Sequence, residues 1–246
     1  MPGAIAIIQA RMGSSRLPGK VLRPLGGHPV IWHVVDRCCR SSVDAVWVAT
    51  SDTPADDVLA EWCARNGVAC YRGSEDDVLS RYVAIAMLTQ AERLVRVTGD
   101  CPLIAPEIIN LLLDILNDSA VDYVHVKAEE KYPDALPRGL NTEVFWRRTL
   151  EALQQRATSA SHREHVTLLV EDISQGFHIR RVPAPEGMAR PGVRLTLDTP
   201  DDYVMLQRLF QECLITPETP LETLIACLDQ HPEIVALNKH VQQKSV

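Results

Sequence analysis

Ala4-Ile5-Ala6-Ile7-Ile8-Gln9-Ala10-Arg11-Met12-Gly13-Ser14-Ser15-Arg16-Leu17-Pro18-Gly19-Lys20 is the stretch from which the rest of the chain can be read. Residues 4–10 form a run that is apolar but for Gln9 and rich in Ile, with no polar alternation, which suits a strand covered on both faces, as in a parallel sheet. A polar Gly/Ser/Pro loop follows at once and carries Arg11, Arg16 and Lys20. Backbone N–H groups of such a loop can cradle an anion, Arg adds forked donors and Lys a point charge, so the inventory fits a triphosphate. The loop is not a Walker motif, which needs four residues between its glycines and a hydroxyl residue after the lysine. Here five residues separate Gly13 from Gly19, and Val21 follows Lys20. A merely solvated basic loop is the blander alternative.

Outward from this stretch, strand and helix signals alternate. Apolar spacing at Ile31, Val34, Val35 and Cys38 predicts a helix over 29–39, and residues 45–50 read as a second buried strand. Further units follow: a helix over 54–66 stopped by Gly67, a strand over 68–71, a helix from 76 to about 90 and a strand over 93–98. Repeated βα units argue for an open, mostly parallel sheet with helices on both sides, and such sheets bind ligands at the carboxyl ends of their strands. Three loops then share one edge: residues 11–20, 50–57 and 99–103. From about 122 to 196 the pattern loosens around Tyr132-Pro133, Leu136-Pro137-Arg138-Gly139 and Pro183-Ala184-Pro185, with one helix near 147–156. We expect an inserted lid or dimerisation subdomain there, within one domain spanning 1–246. After Asp198 the chain reads as helical, with Pro200 and Pro232 as starts.

Composition sets outer bounds. The 246 residues are 46% hydrophobic and 23% charged, the balance of a globular protein rather than a disordered one. Net charge is −7, so nothing draws the molecule as a whole to nucleic acid or an anionic membrane, and a polyanionic ligand needs a local basic cluster. The sequence has neither a membrane-spanning apolar run nor a signal-peptide pattern, and the expectation is a cytoplasmic protein. Seven cysteines are scattered without a C-x-x-C pair, which predicts reduced, mostly buried thiols.

Two later segments carry carboxylates at strand ends. In Val97-Thr98-Gly99-Asp100-Cys101-Pro102-Leu103, a buried strand stops at Gly-Asp and a proline turn. A lone Asp there is commonly a turn or cap residue, but beside an anion loop it is placed as a Mg²⁺ ligand. In Arg194-Leu195-Thr196-Leu197-Asp198-Thr199-Pro200-Asp201-Asp202-Tyr203, the pattern of strand, carboxylate, proline and helix start recurs. Asp201 and Asp202 suit a helix dipole, and Asp198 or Thr199 could cap the helix. Asp198 sits one position too deep for an obvious cap, and with Asp100 it could hold one Mg²⁺. His28 and His33 read as packing or surface residues.

Taken together and in order, Arg-x-x-Ser-x-Arg-Leu-Pro-x-Lys, Gly-Asp-x-Pro-Leu and Leu-Asp-Thr-Pro-x-Asp resemble the motifs of the sugar cytidylyltransferases, among them the 3-deoxy-manno-octulosonate and acylneuraminate enzymes. The chain looks closest to the branch labelled spore coat polysaccharide biosynthesis proteins, F-type. Arg72-Gly73-Ser74-Glu75-Asp76-Asp77-Val78-Leu79-Ser80-Arg81, Gly139-Leu140-Asn141-Thr142-Glu143-Val144-Phe145 and Arg163-Glu164-His165-Val166-Thr167 add to that likeness, which spans residues 4 to about 240. The resemblance implies a three-layer αβα nucleotide-diphospho-sugar transferase fold, Rossmann-like and glycosyltransferase-A-like, with a small inserted subdomain. It also implies transfer of CMP from CTP to an acceptor such as a nonulosonic or octulosonic acid, with Mg²⁺ as cofactor and pyrophosphate as product, for surface polysaccharide biosynthesis. Arg11, Arg16, Lys20 and Asp100 are the implied catalytic residues. Ala10, Met12, Gly13, Ser14, Arg72, Ser74 and Arg81 join them around the nucleotide, and Asp100 and Asp198 ligate the metal. Asn141, Glu143, Arg163 and His165 would face the sugar, although Glu143 and Glu164 also read as ordinary salt-bridge partners and His165 as a packing residue. A homodimer is an expectation of the same kind. One departure bears on the acceptor: Cys101 follows Asp100 where the octulosonate enzymes usually carry an acidic residue. A transferase with another base or a phosphonate acceptor, and a non-catalytic nucleotide-binding protein, remain the competing readings.

Overall fold

A computed structural model describes residues 3–117, 120–126 and 131–243. Strand β1 (Ala4–Gln9) leads through the basic loop to a short hairpin, β2 (Pro24–Leu25) and β3 (His28–Pro29), and then to α1 (Val30–Cys39). The alternation continues with β4 (Ala45–Ser51), α2 (Asp57–Arg65), β5 (Ala69–Gly73), α3 (Val78–Thr89), β6 (Arg93–Thr98) and α4 (Pro106–Leu116). Next come β7 (Tyr123–Val126), β8 (Thr142–Trp146), α5 (Arg147–Arg156), α6 (Ala160–Glu164) and β9 (Ile179–Arg181), and the chain closes with α7 (Pro200–Glu212), α8 (Leu221–Gln230) and α9 (Pro232–Val235).

The central sheet runs β5-β4-β1-β6-β8-β7-β9, and β8 alone opposes the direction of the other described strands. As its apolar run requires, β1 is buried on both faces. Ala4, Ala6 and Ile8 enter the core beneath α1, α4, α7 and α8, while Ile5 and Ile7 enter a second core with α3 and α5. This is the three-layer arrangement expected. At the sheet edge that forms the cleft, Gly99 is constrained by close approach, because a Cβ there would lie 2.7 Å from that of Ala10.

The loosely patterned region 122–196 contributes β7, β8 and β9 to the same sheet. Residues 194–197, expected as a strand, form only an isolated bridge between Arg138 and Arg194, with Leu197 N–H donating to Asp100 O at 2.8 Å. These four residues are buried beside the end of β6, which needs no continuous ladder. Helix α4 was not among the expected elements, although Pro106 opens it and Ile108, Ile109, Leu112, Leu113 and Leu116 recur at helical spacing and are buried. Thr199 caps α7 in a reciprocal box with Asp202, so the cap is Thr199 and Asp198 stays free for other work. Cys213 and Cys227 are joined as a disulfide, with Cα atoms 6.2 Å apart, where only thiols were expected. A chain reversal over 214–220 brings them together, which no spacing rule encodes. Among the described residues, no helix is long and apolar enough to cross a membrane.

Candidate active site

A cleft of about 360 Å³ opens at the carboxyl ends of β1 and β6, where the loop rule for parallel sheets puts it. Its floor is the phosphate-loop candidate. Gly19, in the left-handed region at φ 68°, turns the loop back on itself, and its N–H donates to Met12 O at 3.0 Å. Loop geometry is further fixed from below by Asp56, a buried carboxylate that accepts from Met12 N–H at 2.7 Å and from Thr50 Oγ1, Ser51 N–H and Ser51 Oγ. Sequence reasoning placed the 50–57 loop at this edge but did not single out Asp56; the only signal was an Asp shortly after a strand. Ser14 Oγ accepts from Leu17 N–H at 3.3 Å, which leaves its own proton to donate.

The centre of the cleft is a cation between two carboxylates. Lys20 Nζ lies 2.6 Å from Asp100 Oδ2 and 2.7 Å from Asp198 Oδ1. Thr98 Oγ1 donates to the other Asp100 oxygen at 2.7 Å. Asp198 Oδ2 also meets Arg16 Nη2 at 3.2 Å and Arg194 Nη2 at 2.5 Å. Arg194 is held in turn by Asp202, which is fully buried and also accepts from the N–H groups of Asp198 and Thr199 and from Asn238 Nδ2. Burial works against charge at Lys20, but Asp100 and Asp198 outweigh it and raise its pKa. Burial likewise opposes ionisation of Asp198, yet Lys20, Arg194 and Arg16 hold its carboxyl below the usual range. Next door the Cys101 thiol, buried and beside Asp100, is pushed up to about 12 and stays protonated.

Two hard oxygen donors converging on one cationic point suit Mg²⁺, and the residues present therefore fit that ion. The lining also balances its charges. Arg11, Arg16, Lys20 and Arg81 face Glu75, Asp100, Glu164 and Asp198, with Arg11 paired to Glu75 at 3.0 Å. Arg81 is buried at the wall. Its Nη1 donates to Ala49 O at 3.3 Å, its Nε has no hydrogen-bond partner, and burial lowers its pKa.

Of the residues named from sequence, Ala10, Arg11, Gly13, Ser14, Arg16, Lys20, Arg81, Asp100, Asp198 and His165 line the cleft together. The others do not line it. Arg72 gives its guanidinium to Ser51 O, Thr53 O and Asp57, and Ser74 Oγ accepts from Asp77 N–H at the start of α3. Asn141 Oδ1 accepts from Gly139 N–H in a turn. Glu143 pairs with Arg96 at 2.8 Å and accepts from Thr167 Oγ1 at 2.7 Å, which matches its salt-bridge reading. Arg163 ties α6 to α3 through Asp77 and reaches Gln154. Glu164, weighed only as a salt-bridge residue, is on the cleft wall. Asp202, expected to complement the α7 dipole, does stand in its first turn; sequence reasoning missed only its pairing with Arg194, which carries no distinctive spacing.

Comparison with known proteins agrees with this geometry. The family model described as cytidylyltransferase matches residues 5–234. The chain is 34% identical to the spore coat polysaccharide biosynthesis protein SpsF of Bacillus subtilis, over 95% of this chain and 97% of that one. It is 27% identical to a 3-deoxy-manno-octulosonate cytidylyltransferase of Escherichia coli, over 72% and 76% of the two chains. A solved cytidylyltransferase structure from Leptospira borgpetersenii superposes with a TM-score of 0.87 at 29% identity, covering 100% of this chain and 99% of the other. A strand-end cleft with a basic loop and paired carboxylates, and a family match over nearly the whole length, lead to one assignment: the chain belongs to the cytidylyltransferase family, in the branch that holds the spore coat polysaccharide protein.

Proposed function

We propose that the protein transfers the cytidylyl group of CTP to a hydroxyl of a sugar acid, releasing pyrophosphate, as a step in making a surface polysaccharide. The meeting of Asp100 and Asp198 at the Lys20 ammonium, beside Arg11 and Arg16, carries this reading. The acceptor oxygen bonds to the α-phosphorus as its hydroxyl proton passes to water, while the bond to the bridging oxygen breaks and the electron pair leaves with pyrophosphate. The difficulty is charge, because a nucleophile must approach a triphosphate anion and the cleft's own charges cancel. Mg²⁺ held by Asp100 and Asp198 would neutralise charge at the α-phosphate and make the acceptor hydroxyl more acidic. Lys20, exchanged from the carboxylates to the β and γ phosphates, and Arg16 beside it would stabilise the charge gathering on the leaving group. Arg11, released from its exposed pair with Glu75, would join them. No covalent enzyme intermediate is required, and Ser14 serves as a phosphate donor.

Arg81 and His165, both on the cleft lining, would face the nucleotide and the sugar respectively. The protonated Cys101 beside Asp100 removes the negative charge that the octulosonate enzymes usually carry there, so the acceptor is expected to differ from theirs in its polar groups. The test is pyrophosphate release from CTP, UTP, GTP and ATP across nonulosonic and octulosonic acids, with Mg²⁺ or with a chelator. Release that requires CTP, a sugar acid and the metal supports the proposal; release with another base, or with a phosphonate in place of the acid, overturns it.

A further inference from the structure

At the opposite end of α7 from Asp198, a second cluster of chemically active side chains has no part in the cleft. Cys213 ends α7, Cys227 lies on α8, and His231 follows four residues later at the C-terminus of α8. One ligand atom from each of the three lies within 4.8 Å of the other two. Glu212 Oε2 is 4.0 Å from His231 Nδ1, and Glu233 Oε1 is 3.1 Å from that nitrogen. The thirteen residues of α7 rise about 20 Å, so this cluster is separate from the proposed catalytic carboxylates.

We propose that Cys213, Cys227 and His231, completed by Glu212 or a water, form a structural zinc site in the reduced protein. A disulfide uses two sulfurs and nothing more, and it has no need of a histidine one helical turn from Cys227 or of two carboxylates around that ring. Zinc uses all of these. Two thiolates and an imidazole form its preferred borderline-soft donor set, and a fourth oxygen closes the tetrahedron. Zinc bonds of about 2.0–2.3 Å set ligand atoms roughly 3.3–3.8 Å apart, and side-chain rotation covers the difference on backbone held by α7 and α8. The disulfide in the structure is the two-electron oxidised form of the same sulfurs, and the two uses exclude each other. The five other cysteines are free thiols, among them the exposed Cys39, so this chain is not a disulfide framework.

The full-length protein, purified in a phosphine reductant without chelator, is analysed for zinc by mass spectrometry and titrated with Co²⁺. The expected result is one zinc per chain surviving dialysis, with Co²⁺ giving thiolate charge-transfer bands and the intense ligand-field bands of a tetrahedral ion. Cys227→Ser and Cys213→Ser should reduce bound zinc to background. His231→Ala, on a half-exposed residue that leaves both thiols in place, should remove the tetrahedral spectrum. Cys39→Ser should change nothing, which separates a built site from general thiol affinity. Reduced wild-type protein that keeps no zinc, serine variants that bind as well as wild type, or sulfurs that stay joined under reductant would each overturn the proposal.

Discussion

The two walls of the cleft are built by different means. On the phosphate side, β1 and β6 run parallel in strict register, from Ala4 against Arg93 to Gln9 against Thr98, and Asp100 stands two residues beyond the strand end. On the far side, Asp198 has no strand beneath it. It is placed by Arg194 and a fully buried Asp202, each four residues away, and by the long-range bond from Leu197 N–H to Asp100 O. Backbone pairing therefore positions one carboxylate and a network of buried charges the other. Substitutions should separate chemistry from architecture on the first side and damage both on the second.

Asp100→Ala is the largest expected effect and the sharpest form of this contrast. Turnover should fall by at least ~10³-fold, while the melting temperature changes little, because β6 is held by its ladder and not by this side chain. Asp202→Ala should behave in the opposite way. Removing a fully buried carboxylate leaves Arg194 Nε and the N–H groups of Asp198 and Thr199 without their acceptor, while Arg194 keeps Asp198 and Gln243, at a cost of about 3 kcal/mol. Chemical denaturation should show that loss, with activity falling because Asp198 is no longer held. If Asp202→Ala keeps wild-type stability, the distinction between the walls fails.

The same division explains what could be read from sequence. Strand β6 was expected at 93–98 and is observed there, and helices α1 and α5 lie within a residue of their expected limits. In these segments one local period, or one capping proline, decides the outcome. Lys20 and Asp100 are eighty residues apart but meet because both follow parallel neighbours, a rule of the fold rather than of the residues. By contrast, Asn141, Glu143 and Arg163 were assigned to the sugar side by resemblance, and their side chains are used in a turn, an ion pair and an interhelical tie. The partners of Glu143 and Arg163 come from other elements, and nothing in the local sequence reveals them. Glu164 is on the wall while Arg163 beside it is not, a difference set by helical phase in a five-residue helix.

Lys20 touches both walls, and Lys20→Met tests how they are coupled. CTP affinity should weaken about 10–100-fold, the loss of one charge-assisted contact to phosphate. The pH dependence of stability should change too. Lys20 has a raised folded-state pKa, so its contribution is complete below its unfolded value near 10.4 and is lost as pH rises through the higher folded value. Asp198 has a depressed pKa, so its contribution is present above about 3.9 and disappears as pH falls through the lower folded value. Wild-type stability should therefore lose this increment at both extremes. In Lys20→Met the alkaline loss should be absent and the acid loss smaller, since Arg16 and Arg194 still hold Asp198. An unchanged alkaline limb would show that Lys20 does not bridge the carboxylates in solution.

The smallest expected effect distinguishes two positions, two residues apart, in and just after α6. His165 lines the cleft, whereas Arg163 is bonded to Asp77, Gln154 and Ala157 O away from it. His165→Ala should raise KM for the acceptor several-fold, in the range of one lost hydrogen bond of about 1 kcal/mol, with KM for CTP unchanged. Arg163→Ala should leave both KM values alone and lower stability by less than about 1 kcal/mol, because its ion pair is partly exposed and solvent screens it. Steady-state kinetics with each substrate varied in turn, beside thermal melts, read all four quantities. If Arg163→Ala raises the acceptor KM and His165→Ala does not, the acceptor lies on the α3 side of α6, and the far wall must be redrawn around Asp77.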